Sequence, residues 1–307
     1  MTPHVLIVAG SDSSGGAGIV RDVETVSAFG LRSSIAVTAV TVQTHARVER
    51  IEQMPPDLVA EQMRAAFAAH SAEPSGPTSL AGIVPPPIAA IASKAIENQS
   101  WVTVPQDPPP PCGEGSGVGV PSNAKVLISP VGAVKIGMLG TAATIDAVAA
   151  VLASSLPVPV VLDPVLASTS GRALLDTEAI GALKRKLMPL SRLVTPNLPE
   201  LALLSCRPVA SSEQEIVGQA EILLATGMQA VLVKGGHAKG DRSTDLLVTF
   251  DGTQQSFEAP RLTGTMRGTG CMLASAIAAN LALGAPLEAA VRRAKDHVFA
   301  TLLASIS

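Results

Sequence analysis

Short apolar runs, each closed by glycine or a polar residue, alternate along this chain with longer stretches whose apolar residues recur at helical spacing. Residues 5–9 (V-L-I-V-A) are continuously apolar and end in glycine, the pattern of a strand buried on both faces of a parallel sheet. Residues 17–29 carry helical spacing and stop at Gly30, a suitable C-cap. Residues 35–42 alternate and then run apolar, which predicts a second buried strand delivering Gln43 at its carboxyl end. A helix over 56–69 starts with Pro56 and Asp57 in its first turn. Further along, strands are expected at 133–139, 158–162, 193–194 and 230–236, and helices over 144–152, 174–187, 216–225, 269–283 and 287–304. Another helix opens at 195–200. Asp251-Gly252 between 245–250 and 254–258 is a hairpin signal. Strand and helix alternate over most of the length, which predicts an α/β fold with a mainly parallel sheet covered on both faces.

One stretch breaks the pattern. Residues 74–121 hold eleven of the 24 prolines and the tract P-P-P-P-C-G-E-G-S-G-V-G, so 71–131 is expected to be a disordered, loop-like insertion. The remaining composition mainly excludes. With 22 basic and 25 acidic residues and no long basic run, the chain is not built for nucleic acid or an anionic membrane. Its three widely spaced cysteines form neither a disulfide framework nor a metal-binding pair, which points to a reducing, cytoplasmic setting. An aromatic content of 2 % leaves no stacking platform for bases.

The chemistry collects where strands end. In the segment R-G-T-G-C-M-L-A-S at 267–275, Gly268, Thr269 and Gly270 feed an apolar helix, so backbone N–H groups converge into an anion cradle. The positive end of that helix, with Arg267 beside it, is expected to lower the pKa of Cys271. Asp163 precedes a proline, Asn197 stands three residues before Glu200, and Lys234 leaves a strand. Each has a plainer reading as turn, helix cap or solvated charge, and Cys271 as a buried structural thiol. In a parallel sheet, however, all carboxyl ends face one edge, so these groups surround one cleft. They are the parts that phosphoryl transfer needs: oxygen ligands for Mg²⁺, a cation for phosphates, dipoles for the transferred group and a base for the acceptor hydroxyl.

The motifs A-G-S-D-S-S-G-G-A-G-I (9–19), V-K-I-G-M-L (134–139), V-L-D-P-V (161–165), T-P-N-L-P-E (195–200), V-K-G-G-H (233–237) and R-G-T-G-C (267–271) together resemble the hydroxymethylpyrimidine and phosphomethylpyrimidine kinases of thiamine biosynthesis, in the ribokinase superfamily. The resemblance spans 5–70 and 132–303. It implies a single ribokinase-like domain over 1–307, interrupted by the insertion, that uses ATP and Mg²⁺ on an aminopyrimidine alcohol and its phosphate, with a homodimer left open. It also implies that Gln43 and Met138, with Gly10, Asp22 and Val165, line the aminopyrimidine pocket, where the Gln43 carboxamide offers a donor and an acceptor side by side. Asn197 and Glu200 would hold the Mg²⁺–phosphate network beside Asp163, Lys234 would meet the ATP phosphates, and Cys271 would be the base above the Gly268–Thr269–Gly270 cradle. The chain departs from the family pattern at Arg267, where histidine is usual, in the insertion, and in a short C-terminal segment with which the family often continues. A pyridoxal kinase and a catalytically weak vitamer-binding protein are the alternatives.

Overall fold

A computed structural model describes residues 2–44, 47–68, 131–155, 157–167, 171, 174–235, 241–262 and 266–306. All belong to one unit, formed by Met1–Ala72 and Ile128–Ser307. The expected insertion lies outside the described residues, apart from Val131 at its end.

In chain order the elements are β1 (His4–Ser11), α1 (Gly18–Ala28), β2 (Arg32–Gln43), β3 (Val48–Gln53), α2 (Pro56–Ala68), β4 (Val131–Ile136), α3 (Ala142–Ser154), β5 (Val160–Leu162), α4 (Thr177–Ala182), β6 (Leu193–Val194), α5 (Leu198–Ser205), α6 (Glu213–Leu224), β7 (Ala230–Val233), β8 (Arg242–Thr249), β9 (Gln254–Pro260), α7 (Thr269–Ala282) and α8 (Leu287–Ile306). The strands form one sheet in the order β3-β2-β1-β4-β5-β6-β7-β8-β9. The central six run parallel, and β3, β8 and β9 add antiparallel edges. Alternation of side chains along β1 divides the core: Leu6 and Val8 join the apolar cluster under α2–α6, whereas Val5, Ile7 and Ala9 join the one under α1, α7 and α8. Among the described residues no helix is long and apolar enough to cross a membrane.

Three expectations change. β2 is not buried throughout: Ile35, Val40 and Val42 are exposed. β3 has no counterpart in the apolar pattern, since V-E-R-I-E-Q is mostly polar, three of its six residues charged, and pairs as an edge strand, held to Ala39–Gln43 of β2. The single helix expected over 174–187 is a short α4 that widens into a π-turn at Leu183–Leu187 and tightens into a 3₁₀ turn at Met188–Leu190. Pro189 has no N–H to continue the α-ladder, and its ring forces the change.

The topology also locates the cleft. The chain moves to one side of β1 for β2 and to the other for β4, so the strand order reverses at β1/β4. Ligands of open α/β sheets bind outside the carboxyl ends at that reversal.

Candidate active site

Gly10 is the last residue but one of β1 and Met138 follows β4, one on each side of the reversal; a Cβ built on Gly10 would come within 3.1 Å of the Met138 sulphur. Gln43 ends β2, half-buried. Its backbone N–H donates to Ser13 Oγ at 2.8 Å, and Ser13 Oγ donates to its carbonyl at 3.1 Å, so the glycine-rich loop after β1 is sewn to the end of β2. Among the described residues, the Gln43 carboxamide accepts a long 3.4 Å bond from Thr41. Val165, whose N–H donates to Asp163 O at 2.9 Å, shares a small apolar depression with Gly137 and Leu166.

Asp163 leaves β5 almost fully buried. Lys234, just beyond β7, donates to Asp163 Oδ1 at 2.7 Å and lies 3.8 Å from Glu200 Oε2; Thr195 Oγ1 lies 3.4 Å from the same Asp163 oxygen. Asn197 and Glu200 form a capping box at the start of α5: Glu200 N–H donates to Asn197 Oδ1, and Asn197 N–H donates to Glu200 Oε2, both at 2.8 Å. The capping reading of this pair is therefore realised, and it holds the Glu200 carboxylate beside Lys234. Burial works against the Asp163 charge, but the ammoniums of Lys234 and Lys135 hold its carboxyl below the usual range. Burial pushes the Glu200 carboxyl up, with Lys234 pulling the other way. Burial also disfavours the Lys234 ammonium, yet Asp163 and Glu200 together raise it to about 12.

The cradle closes this cluster. Gly268 is the N-cap of α7 with φ 76°, and a Cβ there would lie 2.5 Å from the Gly16 carbonyl, so only glycine fits. One residue into the helix, a Cβ on Gly270 would lie 3.2 Å from Lys234 Nζ and 3.9 Å from Asp163 Oδ2. The first turn of α7 thus faces the lysine and the carboxylate, as expected for an anion site.

Two expectations about charge are overturned. Burial pushes the Cys271 thiol up to about 12, despite Lys135 and the Gly18 N–H favouring the thiolate; desolvation outweighs the helix terminus. Arg267 does not supply the neighbouring cation either. Its guanidinium turns to Ser14 Oγ (3.1 Å), the Thr44 carbonyl (3.2 Å) and Asp12 Oδ2 (3.3 Å), bracing the glycine-rich loop against the end of β2. The ammoniums that act on Cys271 are those of Lys135, a residue quoted in the V-K-I-G-M-L motif without a role, and of Lys234. Asp22 is corrected as well: its side chain is fully buried, and its carboxylate takes bonds from Lys135 Nζ (2.8 Å to each oxygen) and Ser275 Oγ (2.8 Å). It stands in the floor beneath Cys271, which precedes Ser275 by one helical turn, and presents no free face to a pocket. The sequence signal for Lys135 was a lysine inside an apolar strand, which demands a buried partner.

Five groups are thus interleaved under the cradle: Asp22, Lys135, Asp163, Lys234 and Glu200. Comparison with known proteins gives this arrangement its context. The family described as phosphomethylpyrimidine kinase matches residues 12–73 and 122–307. This chain belongs to that family. A hydroxymethylpyrimidine/phosphomethylpyrimidine kinase of Rhizobium meliloti is 38 % identical over 99 % of this chain and 92 % of its own length. The enzyme of that name from Escherichia coli is 34 % identical over 90 % and 82 %. Among solved structures, the phosphomethylpyrimidine kinase of Clostridium difficile superposes with TM-score 0.69 and 28 % identity, covering 97 % of this chain and 99 % of that one. A pyridoxal kinase of Staphylococcus aureus in complex with ADP gives TM-score 0.73 and 25 % identity over 98 % and 88 %. The phosphomethylpyrimidine kinase match leaves residues 74–121 unmatched, within the proline-rich stretch.

Proposed function

We propose that this chain is an ATP- and Mg²⁺-dependent kinase that phosphorylates the hydroxymethyl group of 4-amino-5-hydroxymethyl-2-methylpyrimidine and then the resulting monophosphate, in the cytoplasm. The observation that carries the reading is the approach of Lys234 and Asp163 to the first turn of α7, which places a cation, a carboxylate and a helix N-terminus around one point. Lys234 would meet the nucleotide phosphates, and the N–H groups of Gly268 to Cys271 would stabilise charge on the transferred group. Gln43, Gly10, Met138 and Val165, around the β1/β4 reversal, would hold the aminopyrimidine. Cys271 would take the acceptor's hydroxyl proton on its sulphur, and in doing so must first hold a thiolate against the pull of burial.

The donor set fits a magnesium ion. Among the described residues no group of three or more His, Cys, Asp or Glu is placed to hold a metal, but Mg²⁺ usually takes one or two carboxylates, keeps waters and completes its shell with phosphates. Asp22, Asp163 and Glu200 outnumber Lys135 and Lys234 in the cluster, so a cation would be welcome. Asp163 and Glu200 would hold it, with Asn197 orienting Glu200; bound there, the ion would neutralise phosphate charge. The exposed Ile35, Val40 and Val42 of β2 offer an apolar surface for a homodimer.

ADP release measured with the aminopyrimidine alcohol, its monophosphate and pyridoxal tests the reading. Turnover of the first two, with mono- and diphosphate products identified by mass, is expected. Turnover of pyridoxal alone would make it a pyridoxal kinase, and saturable binding without ADP would make it a vitamer-binding protein.

A further inference from the structure

A further buried ion pair is tied to the residue that follows Lys234. Lys295 Nζ of α8 donates to Asp245 Oδ2 of β8 at 2.7 Å, and both side chains are 7 % exposed. The other carboxylate oxygen, Asp245 Oδ1, accepts the backbone N–H of Gly235 at 2.9 Å. Gly235 is the residue next to Lys234. The β7–β8 ladder ends at Val233↔Leu246, while on its other side the chain still pairs: Lys234 N–H donates to the Pro196 carbonyl at 2.8 Å and Lys234 forms a parallel bridge with Asn197. The Asp245 side chain thus stands in for the backbone acceptor that the ladder no longer offers. The fit is close, since a Cβ on Gly235 would collide with the backbone of Thr244.

Stability alone does not account for this arrangement. Removing two charges from water is costly, and an apolar pair of similar volume is often as stable or more so. An apolar pair would leave the Gly235 N–H without an acceptor. We propose that Asp245, held by Lys295, is a positioning residue for the phosphoryl-transfer reaction: it fixes the backbone that follows Lys234, so that the ammonium is aimed at the nucleotide phosphates before they arrive. Preorganising a binding group in this way removes an ordering cost that binding would otherwise meet. The inference rests on the reading that Lys234 meets a nucleoside triphosphate.

Two uncharged double variants isolate the acceptor. Asp245→Asn with Lys295→Met retains an oxygen for the Gly235 N–H, whereas Asp245→Leu with Lys295→Met has nearly the same shape and none. With ATP as the probe and folding checked by thermal melting, the asparagine version keeps KM for ATP within about threefold of the parent. The leucine version raises KM for ATP about three- to tenfold, the scale of one hydrogen bond, with KM for the aminopyrimidine unchanged. Equal ATP constants in the two folded variants, or parallel losses for both substrates, would overturn the proposal. Should the leucine version fail to fold, Lys295→Met alone decides: a raised KM for ATP that Lys295→Arg restores supports positioning, and a parent value refutes it. A parent enzyme that releases no ADP at all would instead count against the kinase reading, which keeps the two failures apart.

Discussion

The thiol of Cys271 shows how a residue's setting decides its chemistry. A raised pKa favours the protonated form, so at neutral pH nearly all of it is thiol, and the thiolate fraction grows tenfold with each pH unit until about 12. If that thiolate is the base, log kcat/KM should climb with unit slope from about pH 7 to pH 9, and Cys271→Ala should flatten the profile while leaving ATP binding intact. A parent profile already flat over that range would exclude the thiolate. Below it, the Asp22–Lys135 pair is fully buried, and the Asp22 carboxylate holds the lysine charged against its desolvation. Lys135→Met strands a buried carboxylate and should cost about 3–5 kcal/mol in denaturant unfolding, whereas Asp22→Leu with Lys135→Met should recover most of that loss. A double variant as unstable as the single one would show that the pair's hydrogen bonds, not its charge balance, hold the floor. Neither the raised thiol nor the turn of Arg267 toward Asp12 was legible in the sequence. Both depend on depth and direction, which spacing does not carry. The presence of Cys271, Lys234 and Asp163 at strand and helix ends was legible, because a parallel sheet sends every carboxyl end to one edge.

Among the elements, those carried by dense apolar patterns, such as β1, β7 and α7, were readable from periodicity. β3 was not, because an edge strand with one open face can be built from charged residues. The π-turn after α4 was also hidden, since a change of helical width leaves the apolar spacing nearly intact. For α5 the sequence offered two readings of N-L-P-E, and the structure makes the cap itself the device that holds Glu200. Asn197→Ala should therefore lose about 0.5–2 kcal/mol of stability and loosen Glu200 together, so that half-saturation with Mg²⁺ moves to higher concentration; Asn197→Asp should preserve the cap. Stability lost with no change in the Mg²⁺ titration would confine the box to a structural role.

For the whole molecule, the insertion expected over 71–131 is read from composition, and the family match leaves residues 74–121 unmatched. Replacing 74–121 with a short Gly/Ser linker should leave one cooperative melting transition and ATP-dependent turnover, because loop length changes closure entropy only slowly; an insoluble product would show that the segment packs as part of the fold. The distribution of the core has a further consequence for how the protein is made. Val5, Ile7 and Ala9 are covered on that face partly by α1, which follows at once in the chain, and partly by α7, which lies near its far end, with α8 packed on α7. On the ribosome the first strand is thus born long before the second part of its cover. Until α7 is made, the part of that face beyond the reach of α1 has no cover, so the growing polypeptide carries exposed apolar surface for most of its translation.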